Sequence, residues 1–176
     1  MAECDLQFVG FFICSSPLKE DTKKQIEGLQ RADYHILIIT GDNILTAAKV
    51  ALTLDLGANV WMLEREGDKT ILEDEKGERH EIKSLHELKQ KAAHGKTSLI
   101  ATSSSKDLPH DYYQFISVFA RASPHDKEVI VKFFKELPGG GILYAGDGTN
   151  DVGGLRTADV GVAVVGTTNI SEVTRK

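Results

Sequence analysis

The sequence predicts an α/β fold built on a mostly parallel sheet, and three observations carry that expectation. Short apolar runs recur along the chain, at 6–15, 36–39, 60–63, 98–101, 115–120, 142–145 and 160–165, each of a length suited to a strand. Amphipathic stretches of helical period alternate with them and supply the crossovers that parallel strands require. Three of the runs end in small polar loops: Thr40-Gly-Asp-Asn43, Arg121-Ala-Ser-Pro124 and Gly146-Asp-Gly-Thr-Asn-Asp151. In an open α/β sheet, ligands bind at the carboxyl ends of the strands.

Taken in order, Leu6 to Ser15 is apolar and rich in Phe, and reads as a buried strand bent at Gly10 and ended by Pro17. Glu20 to Ala32 carries Ile26 and Leu29 at helical spacing. Ile36–Ile39 is the next buried strand. Asp42 or Asn43 then caps a helix from Ile44 to Leu54 whose apolar face includes Leu45, Ala48 and Leu52. Val60–Leu63 is a further strand. From Glu64 to Lys83 charge dominates, with turn signals at Gly67-Asp68 and Lys76-Gly77, so a solvent-facing hairpin is expected.

Ser84 and Glu87 form a capping box that opens a helix to Ala93. Ser98–Ala101 is a short strand, followed by a serine-rich loop. Phe115–Ala120 is a strand, and Ser123-Pro124 is a cap followed by proline at the first helical position. The helix it opens runs to Leu137, with Val129, Ile130, Phe133 and Phe134 facing inward. Pro138 and the three glycines after it stop that helix, and precede a strand, so they are a connector and not a phosphate cradle. Ile142–Ala145 is a buried strand, helical spacing resumes at Val152, and a last apolar run begins at Val160.

Composition bounds the function. The 176 residues are enough for one domain with a single core. A net charge of −5 without a basic stripe gives no electrostatic reason to expect nucleic acid. Cys4 and Cys14 lie in no metal spacing and read as reduced thiols. The longest apolar stretch, Phe8 to Cys14, falls far short of the roughly 20 residues of a membrane helix, and the first residues lack the pattern of a signal peptide. The chain is expected to be soluble and not membrane-inserted. Its six histidines are scattered singly, and only His125 lies near the polar loops.

Those loops hold the chemistry. Asp147 and Asp151 lie four residues apart among glycines that let a ligand approach the backbone, an arrangement suited to a hard cation such as Mg²⁺. A plain turn is also rich in Asp, Asn and Gly, but this loop is long and acidic for a hairpin. Strand ends in one parallel sheet share an edge, so Thr40, Gly41 and Asp42, then Arg121, then Asp147, Asn150 and Asp151 could surround one ligand. Lys127 joins them from the first turn of its helix, where the macrodipole disfavours a cation by roughly a few tenths of a kcal/mol unless an anion is near. A hydroxyl, a lysine and two acids are the parts that stabilise a transferring phosphoryl group.

Thr40-Gly-Asp-Asn43, Val118-Phe-Ala-Arg121 with Pro124 and Lys127, and Gly146-Asp-Gly-Thr-Asn-Asp-Val152, in this order, resemble the phosphorylation domain of P-type ATPases, in the haloacid dehalogenase-like superfamily. Ser16-Pro-Leu-Lys19, Leu45-Thr-Ala47, Gly153-Gly-Leu155 and Ala158-Asp-Val-Gly-Val-Ala163 are most similar to the type-5 subgroup, in particular its A branch in the endoplasmic reticulum. The resemblance covers about residues 5–57 and 115–165, and it implies a Rossmannoid three-layer fold with a variable insertion at 58–114. It also implies that Asp147 ligates Mg²⁺ and that Asp151 supports or orders that site. Lys127 would neutralise phosphoryl oxygens and Thr40 would hydrogen-bond them. Gly41, Asp42, Arg121 and Asn150 would line the path of the ATP phosphates. Pro17 and Lys19 match a motif near a hinge, although Ser16 stands where many relatives carry an acid.

One departure outweighs the rest. The family's nucleophile is the aspartate of an Asp-Lys-Thr-Gly-Thr signature, which this chain lacks. Asp68-Lys69-Thr70 imitates its first half, but Ile71 follows and the segment reads as a turn in a charged hairpin, whereas a nucleophile projects from a strand end toward the metal. The resemblance therefore implies that residues 1–176 are the C-terminal part of a split phosphorylation domain. The nucleophile strand and the nucleotide-binding, actuator and membrane domains would belong to the rest of a pump in the endoplasmic reticulum membrane, this domain facing the cytosol. The chain alone is expected to be inactive. Two other readings stand beside it: a free-standing Mg²⁺-dependent phosphohydrolase, for which Asp5 is the only early nucleophile candidate, and a pseudo-enzyme module that binds nucleotide or Mg²⁺.

Overall fold

Continuous apolar strands can be buried on both sides, and Leu99, Ile100 and Ala101 show it: all three are fully buried although successive side chains point to opposite faces. The computed structural model of the protein describes residues 7–12, 17–57, 59–93, 97–102 and 108–164. Cys4, Cys14, Ser16, the serine-rich loop at 103–106 and the end of the run at 160–165 lie outside the described residues.

The elements are α1 (Thr22–Arg31), β1 (Ile38–Ile39), α2 (Ile44–Thr53), β2 (Asn59–Glu66), β3 (Lys69–Asp74), β4 (Arg79–Ile82), α3 (Leu85–Ala93), β5 (Thr97–Thr102), β6 (Ile116–Ala120), α4 (Pro124–Glu136), β7 (Leu143–Gly146), α5 (Val152–Thr157) and β8 (Val160–Ala163). A six-stranded sheet has the order β1-β6-β5-β2-β3-β4, and β7 pairs with β8 in a separate ladder. The pairs β1–β6, β6–β5, β5–β2 and β7–β8 are parallel, and β2–β3–β4 is an antiparallel meander at one edge. This is the expected α/β, Rossmann-like arrangement.

The two faces of the large sheet bury different partners. Val60, Ile100, Val118 and Ala120 pack on Ala47 and Ala51 of α2. Leu63, Leu99, Ala101 and Phe119 pack with Leu88 of α3, Ile130 of α4 and Tyr113 from the 3-10 turn His110–Phe115. Helices on both faces make three layers. Helix α2 starts where the sequence places it, because the Asn43 side chain accepts the Thr46 N–H at 2.9 Å. Helix α4 opens on a capping box: Ser123 Oγ accepts from the Asp126 N–H at 3.2 Å and Asp126 accepts from the Ser123 N–H at 2.9 Å. Among the described residues no helix is long and apolar enough to cross a membrane.

Four expectations change. Leu45, expected on the apolar face of α2, is 71% exposed. The described part of the first apolar run, residues 7–12, forms no strand, and Phe8 and Phe12 are 78 and 93% exposed. An apolar run becomes a buried strand only if something pairs with and covers it, and no other described element is seen to do so. The charged hairpin has one solvent face only. Leu63, Leu72, Thr70 and Ile82 are buried on its other side, while Arg79 bonds Glu66 and Glu73 and Lys69 pairs with Glu81 on the wet one. The period-2 alternation was outweighed in the sequence by the number of charges. Asp68 sits in the β2–β3 turn beside Gly67, whose φ is +57°, as its turn reading requires. Finally, β7 is not the buried strand expected: Tyr144 alone of its side chains is buried, Leu143 is exposed like Val160 and Val162 of β8, and β7 does not hydrogen-bond to the large sheet among the described residues.

Candidate functional site

Strands β1 and β6 leave the sheet at the same level, Ile39 beside Phe119, so the loops that follow them meet. The Thr40 N–H donates to the Phe119 carbonyl at 2.8 Å, the Ala122 N–H to the Thr40 carbonyl at 2.9 Å, and the Arg121 N–H to the Asp42 carbonyl at 2.9 Å. Thr40 Oγ1 accepts the Asp42 N–H at 3.1 Å, which ties the hydroxyl to its own loop. Arg121 makes the turn with φ +56°, a left-handed backbone that costs a non-glycine residue about 1 kcal/mol or more and that these bonds to the Thr40 loop hold in place. The side chains of Asp42 and Arg121 are exposed, as is Gly41.

The next residue but one after Arg121 is Ser123, the cap of α4, and one helical turn further on Lys127 projects toward the other loop. Its Nζ lies 2.7 Å from Asp151 Oδ1, with both side chains largely buried. The expected anion near this ammonium is therefore Asp151. The Tyr144 hydroxyl donates to the same oxygen at 2.7 Å, and the Gly148 N–H donates to Oδ2 at 3.2 Å. Burial pushes the Asp151 carboxyl up, but the bonds from Lys127, Tyr144 and Gly148 outweigh it and hold the group below the ordinary aspartate value. Burial also pushes the Tyr144 phenol well up, and the bond to Asp151 adds to it, so the tyrosine stays a neutral donor.

Asp151 and Asp147 thus differ. Asp151 has three donors on its two oxygens and belongs to the framework. Asp147, at the end of β7, is exposed and has no hydrogen bond or ion pair among the described residues. No three His, Cys, Asp or Glu side chains converge on a cation site among the described residues. One free carboxylate is nonetheless what Mg²⁺ commonly takes from a protein when water and phosphate supply the remaining oxygens, so the donor set fits that ion through Asp147 alone. Asn150 is exposed in the 3-10 turn Thr149–Asp151.

One glycine of this loop has a different task from the one expected. A Cβ at Gly146 would lie 2.6 to 2.9 Å from Cβ, Cγ and Oδ2 of Asp151, so Gly146 makes room for the aspartate of its own loop and not for a ligand. The structure joins Thr40, Asp42 and Arg121 in one cluster and Lys127 and Asp151 in another, with α4 linking the two. Between Thr40–Asp42 and Asp147–Asn150 no hydrogen bond is formed among the described residues. Pro17, Lys19 and His125 are exposed. Sequence reasoning missed Tyr144, whose only signal was an aromatic with a polar tip in a strand preceding an acidic loop.

No family model matches the chain. Over 172 residues it is 36% identical to the "Probable manganese-transporting ATPase PDR2" of Arabidopsis thaliana. Over 175 residues it is 35% identical to the "Endoplasmic reticulum transmembrane helix translocase" of Schizosaccharomyces pombe. In both cases 93% of this chain and 14% of the relative are covered. The "Vacuolar cation-transporting ATPase YPK9" of Saccharomyces cerevisiae is 29% identical, with 92% of this chain and 13% of the relative covered. Nearly the whole chain is thus homologous to one stretch, about a seventh in length, of membrane ATPases and translocases.

Proposed function

We propose that the chain is the C-terminal part of the phosphorylation domain of a type-5 P-type ATPase, of the A branch in the endoplasmic reticulum membrane, and that it faces the cytosol. The observation that carries this reading is the buried Lys127–Asp151 pair beside the unpartnered Asp147, on loops that follow parallel strands, in a chain similar to such ATPases over almost its whole length. The parent would hydrolyse ATP through an aspartyl-phosphate and use it for transport or extraction across the membrane. The printed names of the relatives differ in cargo, manganese in one and a transmembrane helix in another, so the shared stretch is assigned to the common chemistry and not to the cargo.

Each residue has a task that its surroundings support. Lys127, its ammonium held in place by Asp151, meets the oxygens of the transferring phosphoryl group, and electrostatic preorganisation of this kind needs no rearrangement at the moment of reaction. The Thr40 hydroxyl, which already accepts the Asp42 N–H, keeps its own proton to donate to another phosphoryl oxygen. Gly41, Asp42, Arg121 and Asn150 border the approach of the nucleotide phosphates. Mg²⁺ held by Asp147 would neutralise phosphoryl charge when bound.

The nucleophilic aspartate belongs to a strand outside this chain. The β1 edge of the large sheet and the β7 edge of the small one are each unpaired among the described residues, which supports a strand from the parent seated beside them. The chain alone then lacks turnover. Phosphoenzyme formation in the protein encoded by the longer reading frame tests the assignment: labelled phosphate from ATP should appear on an aspartate upstream of Met1 and fall at least about tenfold in Lys127→Ala. Phosphorylation of Asp68 in the 176-residue chain by acetyl phosphate, lost in Asp68→Asn, would overturn it.

A further inference from the structure

Strand β7 turns one side chain inward. Leu143 and Ala145 are exposed and Tyr144, between them, is buried. Filling that space needs a ring, and phenylalanine would serve. A hydroxyl placed 2.7 Å from a carboxylate oxygen that also receives an ammonium does something more. With Oδ1 shared by Tyr144 and Lys127 and Oδ2 tied to the Gly148 N–H, the Asp151 carboxylate cannot turn about its own axis without breaking a bond at each end.

The ring has a seat. A Cβ at Gly154, in α5, would lie 2.9, 3.0 and 3.2 Å from Cζ, Cε1 and Cε2 of Tyr144. Those atoms belong to a rigid ring that cannot yield as a flexible chain would. Gly154 has no left-handed backbone, and glycine is a poor helix former, so contact with the tyrosine is what accounts for it here. Any side chain at 154 lifts the ring and draws the hydroxyl off Asp151.

We propose that Tyr144, seated on Gly154, is a positioning residue for Lys127: its phenol locks the Asp151 carboxylate, which in turn holds the ammonium at one place by the loop that carries Asp147. The task of Lys127 rests on the phosphoryl-transfer reading above; the lock itself does not. Among the described residues, the charged and titratable side chains bonded to Asp151 are Lys127 and Tyr144, while Glu128 of α4 lies against Gly153, two residues on.

Titration of the Asp151 carboxyl carbon by NMR in the 176-residue chain tests the lock. Tyr144→Phe keeps the ring and removes the O–H, so the Asp151 midpoint should rise by about one pH unit, as expected for losing a hydrogen bond to a charged acceptor. The Lys127 ammonium protons should exchange with water more quickly. A lower melting temperature with an unmoved Asp151 midpoint would mean that Tyr144 only fills space, and would overturn the proposal. Gly154→Ala should shift the midpoint in the same direction, and an unmoved midpoint there would overturn the seat. Should either variant fail to fold, the unaltered chain still decides: a Tyr144 hydroxyl proton in slow exchange, coupled to the Asp151 carboxyl, supports the lock, and fast exchange overturns it. None of these measurements uses ATP, so absence of a phosphoenzyme in the longer protein would sink the pump assignment and leave this one standing.

Discussion

Leu99 and Val118, in the middle of the large sheet, are completely buried, whereas Leu143, Val160 and Val162 of the small sheet are 58, 52 and 41% exposed. The residue types are the same and the strands are parallel in both places. What differs is cover. The large sheet has α2 on one face and α3 and α4 on the other, while the β7–β8 pair packs mainly on α5 and its own loop. The small sheet is held instead by polar bonds: the Asp159 carboxylate accepts the Ile142 N–H at 2.9 Å and pairs with Lys135 of α4 at 3.1 Å, and the Val160 N–H donates to the Ile142 carbonyl. The large sheet is where the core is, and the small one carries the acidic loop.

That contrast can be broken by substitution. Leu99→Ala should cost the most, about 4 kcal/mol in urea unfolding, because a fully buried leucine leaves both a lost transfer term and a cavity. Asp151→Ala should cost about 3 kcal/mol, since it strands the Lys127 ammonium and the Tyr144 hydroxyl in a largely buried place. A loss as small as that of a surface change would show that the site framework does not help to hold the small sheet.

Acid separates the two regions in another way. The Asp151 carboxyl is depressed in the folded chain, so its stabilisation is fully present above the unfolded aspartate value, near about 4, and is lost as pH falls through the lower folded value. Urea midpoints should therefore drop below about pH 4, and Asp151→Asn should remove part of that dependence. Ser123→Ala should cost about 1 kcal/mol by removing the cap of α4, and a larger cost would mean that the loop joining Arg121 to Lys127 depends on it. Leu143→Ala should change stability by less than about 0.5 kcal/mol, because this leucine is mostly in water. A cost near that of Leu99→Ala would contradict the contrast.

Much of the large sheet was legible because its signals are local. The Asn43 and Ser123 caps, proline at the start of α4 and the apolar runs at 98–101 and 115–120 each depend on a few neighbouring residues, and each element lies within a few residues of its expected place. Residues 7–12 and β7 were read as buried from the same kind of signal, yet the first is exposed and the second is buried only at Tyr144, since burial is a relation between a segment and something that covers it. In the site, the three loops were legible as chemistry, but the division of labour between Asp147 and Asp151 was not. Both are aspartates flanked by glycine or asparagine. Only their partners tell the bound one from the free one.

The amino-acid order by itself determined where most strands and helices form, that the polar loops follow strands, and that Lys127 at its helix start is favoured by an anion nearby. Periodicity, caps and chain breakers act over a few residues and can be read one stretch at a time. The tertiary structure decided that the anion is Asp151, that Tyr144 shares it, that Gly146 and Gly154 are small to admit an aspartate and a ring, and that the meander at 59–82 is half buried. Those outcomes depend on which distant surfaces come within a few ångströms of each other, and hydrogen bonds and steric limits act only at that range.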